Sequence, residues 1–489
     1  MKKKGVIVLD CGATNVKACL VDEEGQVVAT HSIVNKVSPD IFFEDGLIWD
    51  AGEILAKMVR CVRAVTAVSE NVEITALTVT SFGVDGAPVK KDGSLCYPVI
   101  SWQCPRTQNA MQHSGRYFGK DELYSVTGLQ SYHFNTLFKL IWFKENRPDV
   151  LDSMDFYLLM PSIIIHRLTG EFCTDTTMAG TTMLTDLRKR TFSTEILQKF
   201  SLDPSVFPNL IEPGTSIGRL LPEIAAEMRL NPGIPVIASG HDTQFAVLGS
   251  GAGINQPVIS SGTWEILMVR AMEQFITMPG AQSAITMEWD AVPGVIDLGV
   301  QWVGSGFLEW ISRLIYSDFA GNYNAIIEES SAIAPGCNGL TIIPEIFTGG
   351  LSGKPGSISG FTNETGRAHI YRAALEALAF YARFGIEQLQ HSGGFSSTSI
   401  ICTGGGSKNA LWNQIRANVT GMQVNVPYVT EATALGAAMV AMTGVNIFSS
   451  LTEAVDHMRC PMTQYDPDHT VALYDSLYKN YRKTVLSGR

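Results

Sequence analysis

The sequence predicts an α/β protein of two domains, and three observations predict it. Its 489 residues exceed what one hydrophobic core sustains, so the chain divides into two domains of similar size. Apolar residues make up 45% and charged residues 17%, without any low-complexity tract, which is a globular composition. Two glycine-tipped strand–turn–strand units lie about half a chain apart, each followed by apolar strands and helices, as in an architectural duplication. The boundary falls just past residue 250, giving segments 1–250 and 251–489.

The elements follow in chain order. Gly5 to Asp10, a turn through Cys11-Gly12-Ala13-Thr14-Asn15, Val16 to Val21, a turn at Glu24-Gly25 and Gln26 to Thr30 read as a three-stranded meander. Ile74 to Thr80 is a buried strand. Residues 134–146 form a helix with Phe134, Leu137, Phe138, Ile141 and Trp142 on one stripe. Phe156 to Leu168 is very apolar, but Pro161 and His166-Arg167 interrupt it too early for a membrane span. Ile234 to Ser239 is a strand that feeds a helix from Gly240 onward. The second hairpin runs through Val258 to Ser261, a tight Gly262-Thr263 and Trp264 to Val269. Ala373 to Leu389 is helical by spacing. Thr398 to Thr403 is a strand that runs into Gly404-Gly405-Gly406, and a helix from about Asn409 to Val419 ends at Gly421. Glu431 to Met442, rich in Ala and Gly, is a helix packed closely on its neighbour.

A net charge of −11 with no clustered basic face argues against a nucleic-acid partner. The apolar run after Met1–Lys4 ends at Asp10, too soon for a signal peptide, and reads as a buried first strand. The nine cysteines are scattered from Cys11 to Cys460, with no C-x-x-C pair and no zinc spacing. They read as reduced, packed thiols of a cytoplasmic protein.

Four stretches carry candidate chemistry. In the first turn Asp10 closes a strand, Gly12 permits close backbone approach, and Thr14 and Asn15 sit at the tip. Two readings fit: a phosphate held by turn N–H groups with Asp10 placing a metal ion or its water, or an ordinary hairpin in which Asp10 bonds turn amides. Ser261-Gly262-Thr263 is open in the same way, and two polar tips at matching places strengthen the phosphate reading. Asp242, between a strand and a helix, suits an N-cap. A helix N-terminus also keeps a carboxylate ionised and able to take a proton from an attacking hydroxyl, so cap and general base are compatible. His241 reads as an orienting or packed neighbour.

Thr403-Gly404-Gly405-Gly406-Ser407-Lys408-Asn409 lets a flat ring or a phosphate approach the backbone, or makes a tight structural turn. It matches neither G-x-x-x-x-G-K-[ST] nor G-x-G-x-x-G. Thr80 to Gly86 and Ser101 to Arg106 each follow apolar strands and offer Asp85, Trp102 and Arg106 as a set suited to a polyol; a buried tryptophan and a surface arginine are the plainer alternatives.

Taken in order, these segments resemble one family over essentially the whole chain: the FGGY carbohydrate kinases of the actin-like ATPase fold. The resemblance is carried by Leu9 to Asn15, Ser81 to Gly86, Ile100 to Trp102 with Cys104 to Thr107, and Gly240 to Phe245, then by Ser260 to Leu267, Gly404 to Ser407, Asn409 and Trp412 to Gln414. It implies an α/β fold of two actin-like (ribonuclease H-like) domains with an ATP and sugar cleft between them, the first domain binding sugar and the second nucleotide. Ala13, Thr14, Asn15 and Lys17, with Gly262 and Thr263, would flank the ATP phosphates; Gly404, Gly405, Gly406 and Asn409 would line the adenosine pocket. Asp10 would help to place Mg²⁺, in part through water. Asp242 would be the general base, and Gly83, Asp85, Trp102, Arg106 and His241 would lie against the sugar.

The resemblance further implies a 6-deoxy-ketohexose substrate, L-fuculose first. Xylulose-phosphorylating members carry Gln-Met-His where this chain has Phe82-Gly83-Val84-Asp85, although L-rhamnulose and the pentuloses ribulose and xylulose remain alternatives. Its partners would be sugar and ATP, with neither nucleic acid nor membrane, and a homodimer would be ordinary for the family. A non-enzymatic actin-like sensor would need a docking module, for which the chain has no length to spare. The resemblance departs at Asp297, where relatives tend to place Asn, and is weakest over Ala271 to Ile296, from which no residue is assigned.

Overall fold

The computed structural model describes residues 2–69, 71–280, 282–316, 321–346 and 355–483. The chain folds into two compact units. The first holds Met1–Gly251, Met287–Ile296 and Val429–Cys460; the second holds Ala252–Thr286, Asp297–Tyr428 and Pro461–Arg489.

A six-stranded sheet organises the first unit, in the order Ser216–Arg219, Pro235–His241, Val72–Ser81, Lys3–Cys11, Asn15–Asp22 and Val27–Val34. The meander expected at the start of the chain forms its edge, with Asp10 opposite Lys17 and Cys11 opposite Val16. Lys3–Cys11 runs parallel to Val72–Ser81, and that strand runs parallel to Pro235–His241. Parallel pairing brings three carboxyl ends to one sheet edge, where Asp10 pairs with Thr80, Cys11 with Ser81, and Ser81 with His241. Such an edge is where loops of α/β sheets present binding groups.

Helix Ala51–Thr66 covers the sheet with Ile54, Met58, Cys61, Val62 and Val65, a stripe at helical spacing, and Asp50 caps it through the Glu53 N–H. Helix Ala432–Gly444 is the close-packed element its composition predicts: it lies against helix Asp242–Gly249 with Gly436 and Gly249 at the contact. That packing draws Val429–Cys460 into the first unit.

The second unit repeats the opening pattern. Val258–Ser261 pairs antiparallel with Trp264–Met272, Ser261 opposite Glu265, and runs parallel to Ser399–Thr403. Gln423–Pro427 and Met462–Tyr465 continue the sheet. Helix Arg367–Gly393 extends the predicted segment at both ends, and helix Ala410–Thr420 ends at Gly421, whose φ of 68° suits a residue without a Cβ.

One helix starts later than the pattern suggests. It spans Thr136–Asn146, because the Asn135 side chain turns back to accept from the Tyr132 N–H, and Phe134 lies outside it, against Tyr132 and Trp102. The apolar stretch from Phe156 is a strand, Phe156–Leu159, followed by helix Met160–Thr169 with Pro161 in its first turn. Among the described residues no helix is long and apolar enough to cross a membrane. All nine cysteines are free and seven are buried. Burial pushes the thiols of Cys61 and Cys402 up to about 11 and that of Cys19 to about 12.

Candidate active site

In the first unit the turn after Asp10 is closed by the Gly12 N–H donating to the Asn15 carbonyl at 3.0 Å, and a Cβ on Gly12 would approach that oxygen to 2.8 Å. Asn35 clamps the tip from outside: its backbone N–H donates to Thr14 O at 2.7 Å and its amide to Gly12 O at 2.9 Å. Lys57, on the covering helix, holds Asn35 Oδ1 at 3.2 Å. Ala13, Thr14 and Asn15 are left at the surface of the tip, with Thr14 exposed. Lys17, opposite Asp10, reaches Glu431 at 2.9 Å, a partner 414 residues away that sequence spacing does not reveal.

Asp10 is nearly inaccessible. Burial, and then the negative charge of Asp242, push its carboxyl up to about 7, with Lys17 opposing. A bound cation would relieve this pair. Among the described residues no group of three or more His, Cys, Asp or Glu could hold a metal unaided. One or two carboxylates completed by water and phosphate oxygens is, however, the donor set Mg²⁺ favours, and Asp10 fits it.

Asp242 is the first residue of its helix and not its N-cap. The strand continues through His241, which pairs with Ser81 and occupies the cap position without a side-chain bond. Among the described residues the Asp242 carboxylate accepts only from the adjacent Thr243 hydroxyl, at 3.2 Å, and it remains partly exposed. It keeps the favourable placement at a helix N-terminus without spending its oxygens on capping.

Beneath it, Asp175 Oδ1 accepts from the Thr177 hydroxyl at 2.6 Å and the Met178 N–H at 2.9 Å, and Thr177 Oγ1 accepts from the His241 N–H at 3.0 Å. A Cβ at Gly240 would collide with both side chains, so this position admits only glycine. Burial pushes Asp175 up to about 6. His241 lies between two carboxylates, Nδ1 3.3 Å from Glu288 Oε2 and Nε2 3.6 Å from Asp242 Oδ1. Glu288 also accepts from Gln244 at 3.0 Å. Neither Asp175 nor Glu288 emerged from the sequence: Glu288 falls in the least matched span, and Asp175 meets His241 only through Thr177, 64 residues from it in the chain.

Gly83, Val84 and Asp85 form a strained turn. Val84, a β-branched residue, has φ 65°, and the Asp85 N–H donates back to Gly83 O at 2.8 Å. Thr181 Oγ1, Thr136 and Lys139 hold the Val84 backbone in place. The Asp85 carboxylate is fully enclosed by Lys139, by Trp49 Nε1–H at 2.7 Å and by the Trp102 N–H at 2.9 Å. Gly83 is buried beside His241 and Thr181: a Cβ there would come 3.0 Å from the Thr181 methyl and 3.2 Å from His241 Nε2. Trp102 is half-buried, edge-on to Phe134.

Arg106 is no surface arginine. Its guanidinium is buried between Phe43 and Trp142, pairs with Asp40 at 2.6 Å and donates to the Tyr97 hydroxyl at 3.2 Å. Asp40 lies 66 residues earlier in the chain, which is why the sequence conceals the pair.

The second unit carries its own set. Gly262 and Thr263 form an exposed tip whose carbonyls accept the first N–H groups of the segment 304–306, at 2.9 to 3.1 Å. The glycine run packs on this hairpin: a Cβ on Gly404, at φ 81°, would sit 2.7 Å from Ser261 O, and one on Gly406 would strike Ser261 Oγ, while Gly405 faces open space. Asn409 caps its helix through the Trp412 N–H at 3.1 Å. Underneath, Arg416 and Glu265 form a wholly buried ion pair; Arg416 also donates to Ser261 Oγ at 3.0 Å, and Trp302 donates to Glu265 at 2.9 Å. Asp297 is buried in strand Val295–Val303.

Residues 5–249 match the FGGY family of carbohydrate kinases, N-terminal domain, and residues 258–445 match its C-terminal domain. The chain is 42% identical over 456 residues to an L-fuculokinase of Escherichia coli (strain K12), covering 93% of this chain and 95% of that protein. An L-fuculokinase of Haemophilus influenzae is 40% identical over 461 residues, covering 93% and 97%. In fold it is similar to a xylulose kinase from Rhodospirillum rubrum, with a TM-score of 0.89 at 21% sequence identity over 98% of both chains. The two-domain, actin-like α/β architecture expected from the sequence is therefore the observed one, and the chain belongs to the FGGY family of carbohydrate kinases.

Proposed function

We propose that the protein transfers the γ-phosphoryl group of ATP to L-fuculose, giving L-fuculose 1-phosphate, in the cytoplasm. The observation that supports this reading is 40–42% identity, over 93% of this chain, with proteins named L-fuculokinase.

Phosphoryl transfer demands alignment and charge neutralisation more than covalent chemistry. Asp242 would accept the proton of the attacking hydroxyl; its partial exposure and its freedom from capping bonds support this role. The sugar would lie against Gly83, Trp102 and His241. Asp85 and Arg106, whose charged atoms are held by protein partners, would shape this wall from behind. Ala13, Thr14, Asn15 and Lys17 on one hairpin, and Gly262 and Thr263 on the other, would bind phosphates. Gly404, Gly405, Gly406 and Asn409 would receive the adenosine, since the open face at Gly405 leaves room for a flat ring. Mg²⁺, held through Asp10 and water, would neutralise phosphate charge.

The test is ADP release with ATP and Mg²⁺ over L-fuculose, L-rhamnulose, D-ribulose, D-xylulose and glycerol. A strong preference for L-fuculose is expected. Preference for another sugar would move the specificity within the family, and no turnover on any of them would overturn the proposal.

A further inference from the structure

His241 lies between two carboxylates, and its buried Nδ1 makes no aligned hydrogen bond among the described residues. Nδ1 lies 3.3 Å from Glu288 Oε2, and Glu288 is itself steadied by Gln244. Nε2 lies beside Gly83, where an added Cβ would come within 3.2 Å of it, and 3.6 Å from Asp242 Oδ1. That separation is too long for a good direct hydrogen bond, yet it suits one oxygen atom lodged against both groups.

We propose that Glu288 is a positioning residue for phosphoryl transfer: by accepting the Nδ1 proton of His241, it aims Nε2–H at the substrate hydroxyl that Asp242 deprotonates. The inference rests on the proposed role of Asp242 as base.

In the reacting complex the hydroxyl oxygen accepts from Nε2–H while its own proton passes to Asp242. The oxygen lone pair forms the new bond to the γ-phosphorus, and the bond from that phosphorus to the β–γ bridging oxygen breaks, leaving ADP. A fixed donor aimed at an oxygen that gains negative charge stabilises the transition state more than the ground state. The charged groups that face His241 are Glu288, Asp242 and Asp175. Burial works against its imidazolium, but these three carboxylates outweigh burial and raise its pKa above the ordinary value. Burial likewise opposes ionisation of Glu288, and the charge of His241 beside it nevertheless holds it below its usual range. An imidazolium carries a proton on both nitrogens, which the proposed role requires.

Glu288→Gln removes the charge while keeping the shape, and Glu288→Asp keeps the charge. In Glu288→Gln, kcat/KM for the sugar should fall about tenfold or more, the scale of losing a partner that orients a histidine. The basic limb of its pH profile should move to lower pH, while KM for ATP and the melting temperature stay near wild type. Glu288→Asp should recover much of the rate, and Glu288→Gln should add little in a His241→Gln background. A wild-type rate and pH profile in Glu288→Gln would overturn the inference, as would a loss shared equally by ATP affinity and thermal stability. Asp242→Asn, assayed alongside, separates the two levels. If it is inactive, an unaffected Glu288→Gln sinks this inference alone; if it is active, the reading of Asp242 as base falls and takes the inference with it.

Discussion

A Cβ placed on Gly436 would fall on the carbonyl oxygen of Phe245, so helices Ala432–Gly444 and Asp242–Gly249 touch backbone to backbone. Gly249 makes the reciprocal approach to the Ala432 carbonyl. The helix that opens with Asp242 is thus seated by a contact at which a single methyl group is too much.

Gly436→Ala should therefore cost about 1–3 kcal/mol, the usual range for overpacking, and lower kcat by displacing Asp242. Thermal melts and ADP-release rates would check this, and a wild-type value for both would show that the helices separate without consequence.

Asp242→Asn should lower kcat by about 10²–10⁴-fold, the usual contribution of a positioned acid or base, and leave nucleotide affinity near wild type. Steady-state turnover with a parallel nucleotide titration separates the two effects.

Lys139→Met should destabilise the protein by about 3–5 kcal/mol, because it leaves the enclosed Asp85 carboxylate without its cation. Lys139→Met with Asp85→Leu should recover much of that stability, while sugar binding stays impaired because the Trp102 N–H loses the Asp85 carboxylate to which it donates. Denaturant melts and sugar KM values distinguish these outcomes.

Asp175 supplies a pH test. Its carboxyl is raised to about 6 by burial, against 3.8 for the exposed group, so between these values the folded chain holds more protons than the unfolded one. This group's contribution to stability therefore falls as pH rises from about 4 to about 6. Asp175→Asn keeps an acceptor for Thr177 and Met178 and removes that dependence. Melting temperatures from pH 4 to 7 should show the variant gaining on the wild type as pH rises; a constant difference would contradict the assignment.

Local patterns made the fold legible. Both hairpins, the strand into Asp242 and the glycine run were visible because each needs only neighbours in sequence. The helix opens at Asp242, two residues later than expected, since strand pairing extends through His241, two residues beyond Ser239. What stayed hidden was pairing at a distance: Arg106 with Asp40, Lys17 with Glu431, Lys139 with Asp85 and His241 with Glu288. An isolated charge in a sequence looks like a surface charge until the fold supplies its counterion.

The buried thiols have a consequence for how opening can be followed. Cys11 lies under the first hairpin and Cys402 beside the second, each inaccessible and, through burial, far from its thiolate form at neutral pH. An alkylating reagent can reach either one only when the surrounding strands part. The labelling rate at each cysteine, resolved by peptide mass, would then act as a clock for the breathing of its own unit, and a bound nucleotide or sugar that slows one clock and not the other would reveal which unit it grips.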